Sequence, residues 1–408
     1  MNILFIGGVF SDKSEQEILK NSKGNVQYAA NKLQLNLIHG FSKLEEVSIR
    51  VLSASFVGSY PKEYKKIFIN GSRETIDDSI MLNSVSFCNL WGYRSISRKN
   101  HLTKMVKDFS KEQKDDKAII VYSPHTPFLQ AAVYAKKKDP SMHICLIVPD
   151  LPQFMNLNDK RTFIYDKLKE IDIKIFNRNL KYVDSFVLLT EHMKDILKID
   201  NKPYIVIEGV VNTNETNDKQ VQGKNVSKKT VVYTGTLNSK FGVVNLVKAF
   251  NALNRDDVSL EICGRGDSED IIKEYAQKDK RIHFLGQLSN EKAVKLQKKA
   301  TILINPRQNN EEFTKYSFPS KNMEYLLSGN PVIAYKLDGI PDEYDDYFFY
   351  VKENSVKELT DKMNEVLTLD SKERYEFGNR AKEFIIKNKN NIEASLKIIN
   401  MIKNSKDR

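Results

Sequence analysis

No apolar run in these 408 residues approaches the roughly 18 needed to cross a bilayer as a helix. The opening MNILFIGGVF has no charged stretch ahead of its short apolar run and soon turns polar, so it reads as a first strand and not as a signal peptide. Cysteine is scarce. Cys88, Cys145 and Cys263 are odd in number and far apart, which argues against a disulfide framework or a cysteine-bound metal and fits a reducing cytoplasm. Low-complexity tracts are missing too, so the chain is expected to fold throughout. No GxGxxG follows the first strand, which counts against a dinucleotide dehydrogenase.

What the chain has in quantity is lysine, and a net charge of +11. The excess is spread out: residues 1–200 hold 30 basic and 23 acidic residues, and 201–408 hold 34 and 30. With acids interleaved and no nucleic-acid module in view, a nucleic-acid partner is not expected. Mild attraction to anionic headgroups or phosphorylated substrates fits the charge, and so does a plain lysine-rich surface. Residues 60–66 and 94–107 gather basic and aromatic residues, either as a membrane-facing patch or as a solvated face.

Apolar runs alternate with helical patterns along the whole length. Strands are expected at 3–7, 47–56, 84–88, 118–123, 143–149, 185–190 and 204–209, and again at 230–235, 258–264, 281–286, 301–306, 331–335 and 348–352. Helices are expected around 25–39, 95–111, 128–138, 160–182 and 191–198, then 242–254, 268–278, 289–299, 319–328, 355–367 and 371–387. Strands this continuously apolar predict parallel sheets covered on both faces. The reading is α/β: two Rossmann-like, doubly wound domains, 1–205 and 206–387, facing across a cleft. The polar stretch 212–229 reads as a surface loop past the connection. Ile392, Leu396, Ile399 and Ile402 mark a late amphipathic helix, so that 388–408 packs back on the first domain.

Ligands of such sheets bind beyond the carboxyl ends of the strands. Several strands end there in glycine: Gly7-Gly8, Gly235-Thr236 and Gly264-Arg265-Gly266. Each is a tight turn or a close approach to phosphate. Lys240, in Gly235-Thr236-Leu237-Asn238-Ser239-Lys240-Phe241-Gly242, stands between a strand end and the next helix, where an anion would sit. Lys321 raises a sharper question. Pro319 opens a helix, Met323, Leu326 and Leu327 keep its period, and Ser328-Gly329-Asn330-Pro331 stops it. A lysine in the first turn opposes the macrodipole. A bound anion would resolve the conflict, as Lys240 and Lys321 together make a diphosphate cradle. The alternative is an i,i+3 pair with Glu324 on an exposed face.

The runs TVVYTGTLNSKFGVVNLVKAF, LEICGRGDSEDI, RIHFLGQLS and SFPSKNMEYLLSGNPVIAY resemble, in order and spacing, family 4 of the retaining glycosyltransferases, and most of all its bacterial capsular and exopolysaccharide branch. The match is specific over about 230–345 and weaker in the first half. It implies the GT-B fold, a nucleotide-sugar donor on the second domain, and no metal or other cofactor. Gly235, Leu237, Lys240 and Gly242 match the phosphate loop Gly-x-Leu-x-x-Lys-x-Gly. Glu324 matches the second carboxylate of the Glu-x7-Glu motif, which holds the ribose hydroxyls. Two positions depart: Tyr316 replaces the first glutamate, and Thr236 stands where an arginine usually follows the loop glycine. Glu311 or Glu312 could reach back for the missing carboxylate.

The resemblance therefore implies donor contacts from Gly235, Thr236, Gly264, Gly266, Tyr316, Ser317, Phe318, Ser320 and Glu324, and catalytic roles for Lys240, Lys321 and His125. His125, in Ser-Pro-His-Thr-Pro after 118–123, holds the family's place for a histidine near the reacting sugar. Asp150 and Gly8 fall on the acceptor side, with Gly7-Gly8 or Gly24 as the first glycine loop and 9–24 as a mobile segment. The expected activity is transfer of a sugar, from a uridine-linked donor, to a lipid-linked or oligosaccharide acceptor in cell-surface polysaccharide synthesis. The site is then cytoplasmic, with peripheral contact at the inner membrane face. Two other readings stay open: a sugar-nucleotide 2-epimerase of the same architecture, and a binding subunit of a transferase pair that has lost turnover.

Overall fold

The computed structural model describes residues 1–24, 26–76, 80–112, 116–151, 163–199, 201–212 and 228–406. Most of the expected loop at 212–229, and the start of the helix expected at 160–182, lie outside them. The chain divides into two compact units, Met1–Asn212 with Asn391–Arg408, and Thr213–Asn390.

The first unit is built on β1 (Asn2–Gly7), β2 (Ser48–Ser53), β5 (Ile80–Ser84), β7 (Lys117–Tyr122), β8 (His143–Val148), β9 (Ser185–Leu188) and β10 (Tyr204–Val206), with β4 (Arg73–Ile76) on one edge. The order is β10-β9-β8-β7-β1-β2-β5-β4. All neighbours run parallel except β4, which pairs antiparallel with β5. Ile3, Phe5, Ile119, Ile120 and Val121 are fully buried, as strands covered on both faces require. Helices α1 (Asp12–Asn21), α2 (Tyr28–Ser42), α3 (Arg94–Lys111), α4 (Thr126–Lys138), α5 (Phe163–Leu180) and α6 (Met193–Leu197) complete it, with α13 (Asn391–Lys406) returning from the far end of the chain. That last helix lies along α2: the Ser395 hydroxyl donates to the Leu37 carbonyl at 3.1 Å, and Ile398, Ile399 and Ile402 join the core of Leu37, Ile38 and Phe41.

The run expected as one strand at 84–88 is two. Strand β5 ends at Ser84, and β6 (Phe87–Cys88) pairs antiparallel with β3 (Phe68–Ile69) in a separate ribbon. An apolar run cannot show that a chain changes partner halfway along it. Segment 9–24 contains α1, capped by the Ser11 side chain, which accepts from the Ser14 N–H at 3.2 Å.

The second unit carries a six-stranded parallel sheet: β11 (Lys229–Thr234), β12 (Val258–Cys263), β13 (Ile282–Phe284), β14 (Ile302–Asn305), β15 (Val332–Tyr335) and β16 (Phe349–Val351), in the order β13-β12-β11-β14-β15-β16. Between them run α7 (Val243–Asn251), α8 (Glu269–Lys278), α9 (Asn290–Lys299) and α10 (Ser320–Leu327), and α11 (Val356–Thr368) and α12 (Ser371–Asn388) follow β16. Among the described residues, no helix is long and apolar enough to cross a membrane.

Candidate functional site

In the second unit the connections leave β11 toward β12 on one side and return to β14 on the other, so the strand order reverses between β11 and β14. Open α/β sheets bind ligands at the carboxyl end of such a reversal. The loops that leave β11, β12 and β14 there, together with helix α10, carry every donor-side residue expected from the sequence.

The β11 loop is laced to the β12 loop by backbone. Gly235 N–H donates to the Cys263 carbonyl at 3.0 Å, Leu237 N–H to Arg265 at 2.8 Å, and Ser268 N–H back to Leu237 at 3.0 Å. Gly264 sits at φ +147°, and a Cβ there would meet the Gly235 oxygen at 1.8 Å. Gly242 sits at φ +78° against the Pro306 carbonyl, 1.9 Å from where its Cβ would be. No side chain fits either position. Gly266 lies against the Leu237 backbone. The loop is therefore a stiff mount, and it holds Thr236 and Lys240 out to solvent. Asn238 caps the short turn Ser239–Phe241 by accepting the Lys240 N–H, and Asp267 accepts the Ser239 N–H.

After β14 comes the turn Glu312–Tyr316, then α10, with Pro319 as the residue just before the helix rather than inside it. Tyr316 and Ser317 are half-buried, Ser320 is exposed at the helix start, and Glu311 and Glu312 face solvent. Phe318 turns inward, its ring 5.3 Å from that of Tyr344. Lys321 and Glu324 are bonded to each other, Nζ to Oε2 at 2.6 Å. The lysine in a first turn is thus balanced by a carboxylate one turn on. Gln297 ties the pair to the sheet: its Nε2 donates to Thr234 Oγ1 at 2.7 Å and to Glu324 Oε2 at 3.3 Å. Tyr325 locks the same point, with its hydroxyl donating to the Thr234 carbonyl and accepting the Thr234 N–H. Lys321 lies close to the end of β12: burial pushes the Cys263 thiol up to about 11, against a smaller pull from the Lys321 charge.

The sequence reading passed over Arg307. It stands two residues past the end of β14, and its guanidinium stacks 4.0 Å above the Phe241 ring, beside the Lys240 loop. Its charge is felt by Tyr233, whose hydroxyl is pushed up by burial and donates to the Thr236 carbonyl at 2.8 Å. The signal was present in Asn-Pro-Arg: a cation just past a strand end, the same rule that selected Lys240. Lys240, Lys321 and Arg307 bring three cations to the reversal point, with Glu324 among them.

The first unit has its own reversal, between β1 and β7. His125 precedes α4 there, with its ring 5.7 Å from Phe56 and 4.5 Å from Phe128. Part of the residue is open, yet Nδ1 is buried without a hydrogen-bond partner. Burial first, then the charges of Arg98 and Arg94, hold its pKa well below the usual histidine range, so it is neutral at neutral pH. Gly8 shares the Phe56 ring as a neighbour, and its N–H donates to Gln34 Oε1 at 2.9 Å. Asp150 is exposed beyond β8, and its charge reaches the Tyr122 hydroxyl. Gly8, His125 and Asp150 belong to one unit, and the donor-side residues belong to the other. Among the described residues, no cluster of three or more His, Cys, Asp or Glu side chains could hold a metal ion.

Residues 214–384 match the family model described as Glycosyl transferases group 1, so the second unit carries a glycosyltransferase domain of that group. No curated protein matches the chain. Among solved structures, an E. coli trehalose-6-phosphate protein bound with UDP-2-fluoro glucose aligns at a TM-score of 0.65 and 12% identity, covering 100% of this chain and 99% of that one. Anabaena Alr3699/HepE in complex with UDP aligns at 0.63 and 12%, covering 99% and 100%. The lipopolysaccharide outer core galactosyltransferase WaaB, in its apo form, aligns at 0.61 and 15%, covering 99% of each chain. Identities this low speak to architecture, and the architecture is GT-B.

Proposed function

We propose that this protein is a retaining, metal-independent glycosyltransferase of family 4, moving a sugar from a uridine-linked donor to a lipid-linked or oligosaccharide acceptor in cell-surface polysaccharide synthesis. The observation that carries the reading is the Lys321–Glu324 pair at the β11/β14 reversal, mounted beside Lys240 and Arg307. A nucleoside diphosphate asks for a carboxylate to accept the ribose hydroxyls and cations to hold the phosphates, and here the two are stored on each other. On donor binding, the ribose hydroxyls take Glu324, and Lys321 turns to the diphosphate. The ion pair is partly exposed, with side chains 32% and 19% accessible, so exchanging it costs about 1 kcal/mol at most.

The chemistry then follows from charge. As the bond from the anomeric carbon to the departing phosphate oxygen breaks, negative charge grows on the diphosphate. Lys240, Lys321, Arg307 and the start of α10 are in place to stabilise it. The acceptor oxygen bonds to the anomeric carbon on the same face, and its proton passes to the departing phosphate oxygen. No separate carboxylate base is required. His125, neutral and wedged between Phe56 and Phe128, serves the reacting sugar as a hydrogen-bond partner, and Gly8 and Asp150 serve the acceptor. Exposed Phe68, Leu90, Trp91, Tyr93 and Ile96 gather around the β3–β6 ribbon with Lys62, Lys65 and Lys66, which suits a cytoplasmic enzyme resting on an anionic membrane.

The test is thermal unfolding with UDP, GDP, TDP and CMP, on wild type and on Glu324→Ala. A ligand at about 100 times its dissociation constant adds about 2.7 kcal/mol. A shift with UDP that disappears in Glu324→Ala is the expected result, and a well-folded protein that responds to no nucleotide sinks the reading. Tyr316 and Thr236, in place of the family's glutamate and arginine, favour one second reading: a donor-binding subunit without turnover. UDP-sugar binding with no transfer or hydrolysis, for any acceptor tried, would select it.

A further inference from the structure

Three consecutive residues after β2 gather three basic side chains. The Ser55 carbonyl accepts from Arg98 Nη2, the Val57 carbonyl accepts from Arg94 Nη1 at 2.8 Å, and the Phe56 ring faces that of His125. Arg98 is only 2% exposed. Its guanidinium lies 4.3 Å above the Phe87 ring, its Nε has no hydrogen-bond partner, and it makes no ion pair among the described residues. A guanidinium keeps its proton in proteins, and a buried ion without a counter-charge is among the most destabilising groups a fold can hold. One carbonyl and one aromatic face offset only part of that. Two donors thus stand idle and buried within reach of one loop: Arg98 Nε, and His125 Nδ1 in the tautomer that carries its proton there.

We propose that Arg94, Arg98 and His125, gathered by residues 55–57, form an anion site that takes a phosphate group carried by the acceptor. Only the word acceptor rests on the transferase reading; the anion site stands on the uncompensated charge. A phosphate offers the oxygens both idle donors lack, and Arg94 can share its charge with the same group. The electrostatics agree. Burial and the Arg94 charge push Arg98 well below its ordinary pKa, and burial with both arginines does the same to His125. The phosphate could belong to a soluble sugar phosphate or diphosphate, or to a lipid headgroup.

Thermal unfolding with inorganic phosphate and pyrophosphate, against chloride at matched ionic strength, reads the first source. Sedimentation with phosphatidylglycerol and with phosphatidylcholine vesicles reads the second. Wild type, Arg98→Met, Arg94→Gln and Glu324→Ala are compared, with UDP binding followed in the same samples. In at least one arm, wild type and Glu324→Ala should bind, Arg98→Met should bind roughly ten- to a hundredfold more weakly, and Arg94→Gln several-fold more weakly. Ligand-free Arg98→Met should melt at or above wild type, since an unpaired buried charge is gone. Binding undiminished in Arg98→Met overturns the proposal, as does a wild type that responds in neither arm. If Arg98→Met fails to fold, that failure contradicts the uncompensated charge, and undiminished binding by Arg94→Gln completes the refutation. Loss of the UDP response with the phosphate response intact would remove the donor reading and leave the anion site standing.

Discussion

The two sheets reverse their strand order at comparable points, yet Lys321 at one and Arg98 at the other hold their charge in different ways. At β11/β14, Lys321 is held by Glu324, Lys240 stands in solvent, and Arg307 lies half-buried over the Phe241 ring. At β1/β7, Arg98 is buried against Phe87 with no carboxylate paired to it among the described residues, beside Arg94 and a histidine held neutral. A paired charge in a half-open place can exchange its partner for a ligand with little net change. A buried unpaired charge stores instability that a ligand relieves. The first arrangement suits a site that must empty after each turnover, and the second suits one whose occupant contributes to the stability of its surroundings.

The comparison can be broken most forcefully at Gly264. Gly264→Val drives a branched side chain into the Gly235 carbonyl at a φ that only glycine favours, so a loss of about 3 kcal/mol or more is expected, with the nucleotide response abolished. Phosphate binding in the first unit should survive, and its loss would show that the two sites are not separable in this way.

Acid sharpens the contrast next. His143 is buried in the first unit, with Nε2 2.8 Å from Ser185 Oγ. Burial, opposed by Asp184 and assisted by Lys406 and Lys136, lowers its pKa to about 4. The unfolded chain takes up that proton near pH 6.5 and the folded one only near 4. Stability is therefore full above about pH 6.5 and falls as the pH drops toward 4, by on the order of 3 kcal/mol. His125 acts in the same direction. Denaturant midpoints measured from pH 7 to pH 4 should show this slope, and His143→Gln should flatten it.

The smallest effect is the most direct measure of the paired arrangement. A double-mutant cycle of Lys321→Met and Glu324→Gln, without ligand, should give a coupling of roughly 0.5–1 kcal/mol. A coupling of several kcal/mol would mean the pair is structural, and the exchange mechanism would then be too costly to operate.

Much of this was legible in the sequence because it is local. Near-continuous apolar runs marked the central strands of both sheets, and the stop at Ser328-Gly329 is real: Gly329 sits at φ +80° just past α10. The conflict of Lys321 with its helix was visible, and so was Glu324 as one of its two resolutions. Helix α1 escaped notice because its apolar content is thin, with Ile18 as its one buried apolar side chain. Strand β4 escaped because Arg73-Glu74-Thr75-Ile76 is an edge with a mostly solvated face. Arg98 could not have been found. In Ser-Ile-Ser-Arg-Lys-Asn it looks like any surface cation on a basic helix, and only the packing of α3 against α4 and the β3–β6 ribbon takes it out of water.

The return of α13 to lie on α2 sets a schedule for synthesis. The groove that exposes Leu37, Ile38 and Phe41 is made within the first 50 residues, but the helix that covers it is synthesised more than 340 residues later. Until then the second unit can fold on its own contacts, while the first waits with an open seam. A nascent chain that stalls late would offer that seam to chaperones, or to other stalled copies.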